Sequence, residues 1–507
     1  MKIKQHFDLI IGYLLITFFY LGSILSLNSN PFSNSLPRHD SSMFMYFGKG
    51  MTEGLIPYVD MFDHKGIVLF WIEHLGITLG RGNDNLGIWI MESLFIMIAL
   101  IFLIKTAKLL SQNTLVAGIS LLLVSWVFVS AAQGGNFSEI YAFTFISVTI
   151  FYFAKYIIKD NLKSYEFGIV GLTGALTFFT RPNMIALWVV LCLYILISLL
   201  ITKEFGKLLH HALWIFIGGV AICLAVVFYG LVVGNLKEML YQTLILNVQY
   251  SSGEGFLSKI DGIRAFINFM NESYLLFFIS ISILLFVILK KIITKKESTL
   301  YYLTLIYTLL NFATVVMSGR YYLHYFVTMI PALFLLFGLT ITWLSRIHNF
   351  KILWPVAMAL LVFTININMD KGINKIINLN ASATNQKVDA IDIHLSNYIK
   401  QHSDKSDTIY VHAITANIYL QSERFANSKF FVLPSLDYTQ FPDLQNEFTN
   451  GLTNNPPLFI IVKKEVFESE TLDEKRMNKT VVNFVKDRYE MIPDFKESDQ
   501  MLFQLSE

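Results

Sequence analysis

Long apolar runs broken by short polar stretches set the pattern of this chain. A helix needs about 20 mostly apolar residues to cross a bilayer. About eleven runs approach that length: residues 8–27, 86–104, 114–132, 139–158, 166–180, 183–202, 210–233, 273–290, 298–317, 322–342 and 350–368. The fifth is short, and only Arg181-Pro182-Asn183 divides it from the sixth, which predicts a bent hairpin there. The first run is longer than the roughly 7–15-residue core of a cleaved signal peptide and lacks a small-residue cleavage site, so it reads as a retained helix.

Alternate breaks are short and basic, carrying Lys2 and Lys4, Lys105 and Lys108, Lys155 to Lys163, Lys203 and Lys207, Lys290 to Lys296, and Arg346 with Lys351. The positive-inside rule makes these cytoplasmic, together with the N-terminus. Residues 28–85, 133–138, 234–272 and 318–324 and the C-terminal region then face outward.

Within the first outer loop, Phe44, Phe47, Met51 and Leu55 recur at helical spacing. This predicts an amphipathic helix over 41–53, ended by Gly54. Residues 67–80 are apolar but too short to span, which suits a second surface helix. After about residue 369 the composition turns polar. Strand-like runs at 408–412, 429–433, 458–463 and 501–505 alternate with helical stretches near 385–401 and 474–488. The expected architecture is a polytopic α-helical membrane domain over 1–368, with the active-site loop at 28–85, followed by an extracytoplasmic α/β domain over 369–507.

Composition agrees: 54% of the 507 residues are hydrophobic and 15% charged, against roughly 25% charged in soluble domains. Both cysteines, Cys192 and Cys223, lie in apolar runs, so neither a disulfide framework nor a cysteine metal site is expected. No basic run is dense enough for a nucleic-acid partner. No P-loop, dinucleotide fingerprint, zincin motif or G-x-S-x-G elbow is present, which argues against ATP-driven pumping, Rossmann redox chemistry and ordinary serine hydrolysis.

Charge beside a membrane is costly and marks functional candidates. Asp40, just before the first surface helix, suits a general base, and Asp40-Ser41-Ser42 equally suits a helix cap. Asp60, Asp63, His64 and Lys65 follow; Lys65 suits a phosphate as a point charge, while Asp60 and His64 also suit a solvated loop. Glu139 opens the fourth run, either as a dipole-favoured carboxylate capped by Asn136 or Ser138 or as a second carboxylate in the cavity. The Gly134-Gly135 pair before it would let backbone approach a ligand. Arg320 and His324 sit among tyrosines that suit an interface belt, and a guanidinium there also suits phosphate. Arg181 reads as a packing or snorkelling residue. Glu92 is an intramembrane carboxylate with no partner evident in sequence.

The order and sidedness of these motifs resemble the GT-C superfamily of membrane glycosyltransferases, in the branch of protein O-mannosyltransferases and lipid A aminoarabinose transferases. The motifs are Asp40 soon after the first helix, Gly54-Leu-Ile-Pro57-Tyr58-Val-Asp60-Met-Phe-Asp63-His64-Lys65-Gly66, Glu139, Arg181-Pro182-Asn183 and Arg320 to Tyr325. Ile67 stands where many relatives have proline, and Ser41 follows Asp40 where some branches carry a second acid. The resemblance implies inverting transfer of a sugar from a polyprenyl-phosphate donor to a cell-envelope acceptor (glycan, lipid, teichoic-acid-type polymer or protein) on the outer face of the cell membrane. It implies Asp40 as base, Lys65 on the donor phosphate, and Glu139, Asp63, Tyr58, Arg320 and His324 at the substrates. No cofactor or metal is assigned. A transporter or flippase of lipid-linked saccharide is the alternative. Its class favours internal repeats and broken helices at mid-membrane, whereas charge here concentrates in one outer loop.

Overall fold

A computed structural model of the chain describes residues 2–33, 35–160, 162–247, 256–317, 319–347, 383–434 and 436–506. In order, its helices are α1 (Lys2–Leu25), α2 (His39–Thr52), α3 (Ile67–Gly80), α4 (Asp84–Ser111), α5 (Thr114–Ala132), α6 (Ser138–Lys159), α7 (Ser164–Phe178), α8 (Ala186–Ile201), α9 (Phe205–Val233), α10 (Leu236–Leu240), α11 (Phe256–Glu272), α12 (Leu275–Ile288), α13 (Lys295–Val316) and α14 (Ile330–Ile347). The C-terminal segment adds α15 (Ala383–Gln401), β1 (Thr408–His412), α16 (Asn417–Ser422), β2 (Phe425–Ala426), α17 (Pro442–Asn454), β3 (Phe459–Lys463), α18 (Lys464–Phe467), α19 (Asn478–Arg488), β4 (Tyr489–Met491) and β5 (Gln500–Leu505).

Among the described residues, seven helices are long and apolar enough to cross a membrane, and the bent pair α11–α12, broken by 76°, would make eight. The chain is thus a multi-pass membrane protein. Fewer full spans appear than the eleven apolar runs suggest, because α7 and α8 have only 15 and 16 residues. Pro182 lies in a short 3-10 turn between them, where the hairpin was expected. The run at 350–368 lies outside the described residues.

The chain divides into two compact units. One comprises Met1–Asn30, Trp89–Phe228 and Ser251–Asn378; the other comprises Pro31–Ile88, Tyr229–Tyr250 and Leu379–Glu507. The first is a helical bundle whose core includes α5, α6 and α14, with α6 buried along nearly its whole length. Small residues let its helices approach closely: a Cβ on Gly171 of α7 would lie 1.8 Å from the Ile215 carbonyl of α9, and one on Gly12 of α1 2.7 Å from the Thr114 backbone.

The second unit holds both surface helices and the sheet. α2 and α3 begin and end close to where the sequence places them, and Gly54 takes φ +92°, a conformation glycine adopts without strain. Phe47 of α2 stacks on Phe70 of α3 with ring centroids 3.8 Å apart. The sheet order is β2-β1-β3-β5-β4, with β1 parallel to β2 and β3 and with β5 antiparallel to β3 and β4. Residues 429–433 do not form the expected strand. Their backbone and rings are used elsewhere: the Lys429 carbonyl accepts from Phe62 N–H at 2.9 Å, Phe431 stacks on Tyr46 at 4.1 Å, and Phe430 packs on Phe62. The adjacent Phe430 and Phe431 satisfy this packing as well as they would a ladder.

Candidate active site

The candidate residues fall into two sets, one in each unit. In the second unit, Asp40 sits in the first turn of α2, where a carboxylate is favoured by the helix dipole. It is not the cap: Arg38 takes that position and makes no side-chain cap bond. Asp40 is half-buried. Phe44 follows one turn later on the same face, and Lys65 Nζ lies 5.8 Å from the centre of its ring.

The loop carrying Tyr58, Asp63 and Lys65 is held from within the same unit. Tyr58 adopts φ +69°, is fully buried, and donates its hydroxyl to the Lys65 carbonyl at 2.8 Å. Asn235 Nδ2 donates to the Pro57 carbonyl (2.9 Å), Gln242 Nε2 to the Tyr58 carbonyl (2.7 Å) and Asn247 Nδ2 to the His64 carbonyl (2.7 Å). Gln242 Oε1 accepts from the Asp63 N–H at 3.3 Å. The turn Tyr241–Ile245 has π-helical geometry, a form that recurs at functional sites. These three amides were missed in sequence because each lies far along the chain from the loop it braces.

Asp63 and Lys65 are both buried. Asp63 Oδ1 accepts the Lys65 backbone N–H at 2.7 Å, while the Lys65 ammonium is 4.0 Å from it. The ammonium is 3.1 Å from His64 Nε2. Burial pushes the Asp63 carboxyl above the usual range; the Lys65 charge opposes this and the Asp40 charge adds to it. Asp60 is exposed and accepts Ile56 N–H at 2.7 Å, closing the turn.

In the first unit, Glu139 lies in the first turn of α6, capped in position by Phe137 rather than by Asn136 or Ser138. Its carboxylate accepts from Arg181 Nη1 at 2.5 Å and from the Ser138 hydroxyl at 3.0 Å. Arg181 also bonds the Tyr325 hydroxyl and stands 4.1 Å over the Tyr325 ring. It is therefore the half-buried partner of the buried Glu139 in an ion pair, not a snorkelling residue. His324 is buried, stacked on Phe137 at 4.1 Å, with Nδ1 3.3 Å from Gln133 Oε1. Arg320 is half-buried. Gly134 and Gly135 both have positive φ, and what approaches Gly135 so closely is Glu92. Glu92 does have partners: the Ser29 hydroxyl at 2.5 Å and the Asn136 N–H. Among the described residues, no three of His, Cys, Asp and Glu gather as a metal set.

The fold, with membrane-length helices in one unit and an α/β C-terminal segment in the other, is similar to that of three solved structures. ArnT from Cupriavidus metallidurans in the apo state superposes with a TM-score of 0.60 at 12% identity, over 97% of both chains. The same protein bound to undecaprenyl phosphate gives 0.59 at 13% identity, again over 97% of each. An Archaeoglobus fulgidus oligosaccharyltransferase in complex with zinc and sulfate gives 0.50 at 14% identity, over 89% of this chain and 68% of that one. The chain belongs to the Ccs4 family: the "Putative competence-induced protein Ccs4 N-terminal domain" matches residues 3–352, and the Ccs4 C-terminal domain matches 392–491. No functionally curated protein matches by sequence.

Proposed function

We propose that this protein is an inverting glycosyltransferase. It moves a sugar from a polyprenyl-phosphate donor to a cell-envelope acceptor at the outer face of the cell membrane, with its N-terminus cytoplasmic and its C-terminal segment extracytoplasmic. The observation that carries the reading is Lys65, a buried ammonium on a braced loop whose nearest carboxylate stands 4.0 Å away. A buried cation left this loosely paired is costly unless an anion completes it, and a phosphate does so. The likeness of fold to ArnT bound to undecaprenyl phosphate supports the same donor class.

The Asp40 carboxylate takes the proton of an acceptor hydroxyl. The hydroxyl oxygen attacks the anomeric carbon from the face opposite the phosphate. The bond from that carbon to the phosphate oxygen breaks, and its electron pair leaves with the polyprenyl phosphate. Lys65 offsets the charge developing on that leaving group. Tyr58 and Asp63 are positioning residues, fixing the Lys65 backbone from its carbonyl and its N–H. Glu139 acts by holding Arg181, and Arg320 and His324 are proposed to contact substrate. No metal is invoked.

The test uses purified full-length protein in lipid nanodiscs with undecaprenyl-phosphate-linked hexose, N-acetylhexosamine and pentose donors. Release of undecaprenyl phosphate with formation of a glycosidic bond is expected. Asp40→Asn should lower turnover about 10²–10⁴-fold without moving the melting temperature. Retained turnover would remove Asp40 as base. Movement of lipid-linked sugar across liposomes with no new glycosidic bond would favour a transporter.

A further inference from the structure

Asp63, His64 and Lys65 crowd one bend of the loop, and only Asp63 and Lys65 have a place in the proposed transfer. The peptide that joins His64 to Lys65 is held at both poles. Its N–H donates to Asp63 Oδ1 at 2.7 Å, the closure of an Asx turn, and its carbonyl accepts from Asn247 Nδ2 at 2.7 Å. Neighbouring side chains on an extended chain point to opposite faces. In this bend they meet instead: His64 Nε2 stands 3.1 Å from Lys65 Nζ.

An ammonium has three donors and no acceptor. His64 Nε2 is therefore the acceptor of that contact, the ring proton sits on Nδ1, and the imidazole is neutral. Nδ1 lies 3.9 Å from Asp63 Oδ1. The Phe44 ring, its centre 5.8 Å from Nζ, is a second neutral group within cation–π reach. Both groups attract a cation, and neither cancels its charge. The carboxylate that would cancel it stands 4.0 Å away, whereas charge-assisted N–H···O contacts settle at about 2.7–2.9 Å. The flexible lysine stem can close such a gap by rotation. Asp63 and Lys65 are both buried, where attraction between charges is stronger than in water. Without the imidazole the ammonium would close on Asp63.

We propose that His64 is a positioning residue for donor binding: its neutral imidazole holds the Lys65 ammonium off Asp63 and keeps that charge available to the donor phosphate. This rests on the reading of Lys65 as the phosphate contact. The imidazole takes one of the three ammonium donors and leaves two for phosphate oxygens. An apolar side chain at this position would surrender the ammonium to Asp63.

Full-length protein in nanodiscs, titrated with undecaprenyl phosphate, tests it. His64→Leu should weaken binding about tenfold. His64→Gln, whose amide oxygen is an acceptor, should bind within about threefold of wild type. So should the double variant Asp63→Asn with His64→Leu, because its amide still accepts the Lys65 N–H but carries no charge to capture the ammonium. A second readout needs no ligand. Burial raises the Asp63 carboxyl, the Lys65 charge opposes the rise and the Asp40 charge adds to it; Tyr58, His64 and Tyr438 are the other titratable groups around it among the described residues. Closure of Lys65 on Asp63 in His64→Leu should lower that pKa, so the stability lost as pH rises through it is lost at lower pH than in His64→Gln. Neither variant carries the His64 titration, so the difference between them reports Asp63. Binding by His64→Leu equal to wild type, a double variant as weak as His64→Leu, or identical pH profiles for the two single variants would overturn the proposal. A shifted profile with no undecaprenyl phosphate bound by wild type would instead overturn the donor reading of Lys65 and leave the hold on its ammonium standing.

Discussion

Arg181, half-buried, and Lys65, buried, are both cations beside a buried carboxylate, one in each unit, and they are satisfied very differently. Arg181 meets Glu139 at 2.5 Å, bonds Tyr325 and lies over its ring. Its charge is consumed within the fold. Lys65 stands 4.0 Å from Asp63, whose oxygen is committed instead to the Lys65 backbone N–H. Its charge is held in place but left incompletely neutralised. Similar residue types thus serve as structural glue in one unit and as a proposed anion contact in the other. The distinction lies in what already occupies each charge, because a buried ion must be compensated by some partner.

The largest effect should come from breaking the tighter pair. Arg181→Ala leaves Glu139 buried without its cation and should destabilise the protein by about 3–5 kcal/mol, read as a loss of thermal stability in detergent. A small shift would show that Arg181 is not structural and would erase the contrast with Lys65.

Asp63 should show a smaller, pH-dependent effect. Its folded pKa is raised above the unfolded value of about 3.9. The folded state therefore binds the proton more tightly, and the stability this gives is fully present below the unfolded pKa. It is lost as pH rises through the folded pKa. Asp63→Asn should flatten the fall in stability across that window; an unchanged pH profile would contradict the burial argument. The smallest effect is expected for Tyr58→Phe. Losing one hydrogen bond to the Lys65 carbonyl should cost about 0.5–1.5 kcal/mol, measured by urea or thermal unfolding. Donor affinity should weaken if that bond sets the lysine's position.

Much of the frame was legible in sequence. Periodic Phe44, Phe47 and Met51 with Gly54 marked α2, and the length of the apolar run marked α3, because both signals are local. The strands β1, β3 and β5 were legible for the same reason. Residues 429–433 misled because a short apolar run rich in Phe and Val signals burial without saying whether a sheet or a loop buries it. The brace of Asn235, Gln242 and Asn247 was invisible, since a polar side chain does not announce a backbone carbonyl about 180 residues away. Arg181 was undervalued likewise: its partner Glu139 is 42 residues distant, and only folding brings the two together. Asp40 was legible as a carboxylate at a helix start, though Arg38 takes the capping position.

The most direct test of the account is the kinetics of Lys65→Ala with an undecaprenyl-phosphate-linked sugar as donor. Loss of a charge-assisted contact to the leaving phosphate should lower kcat/KM for the donor about 10–150-fold, while the melting temperature shifts far less than in Arg181→Ala. Unchanged donor kinetics would contradict the central claim that the Lys65 charge is reserved for the donor phosphate.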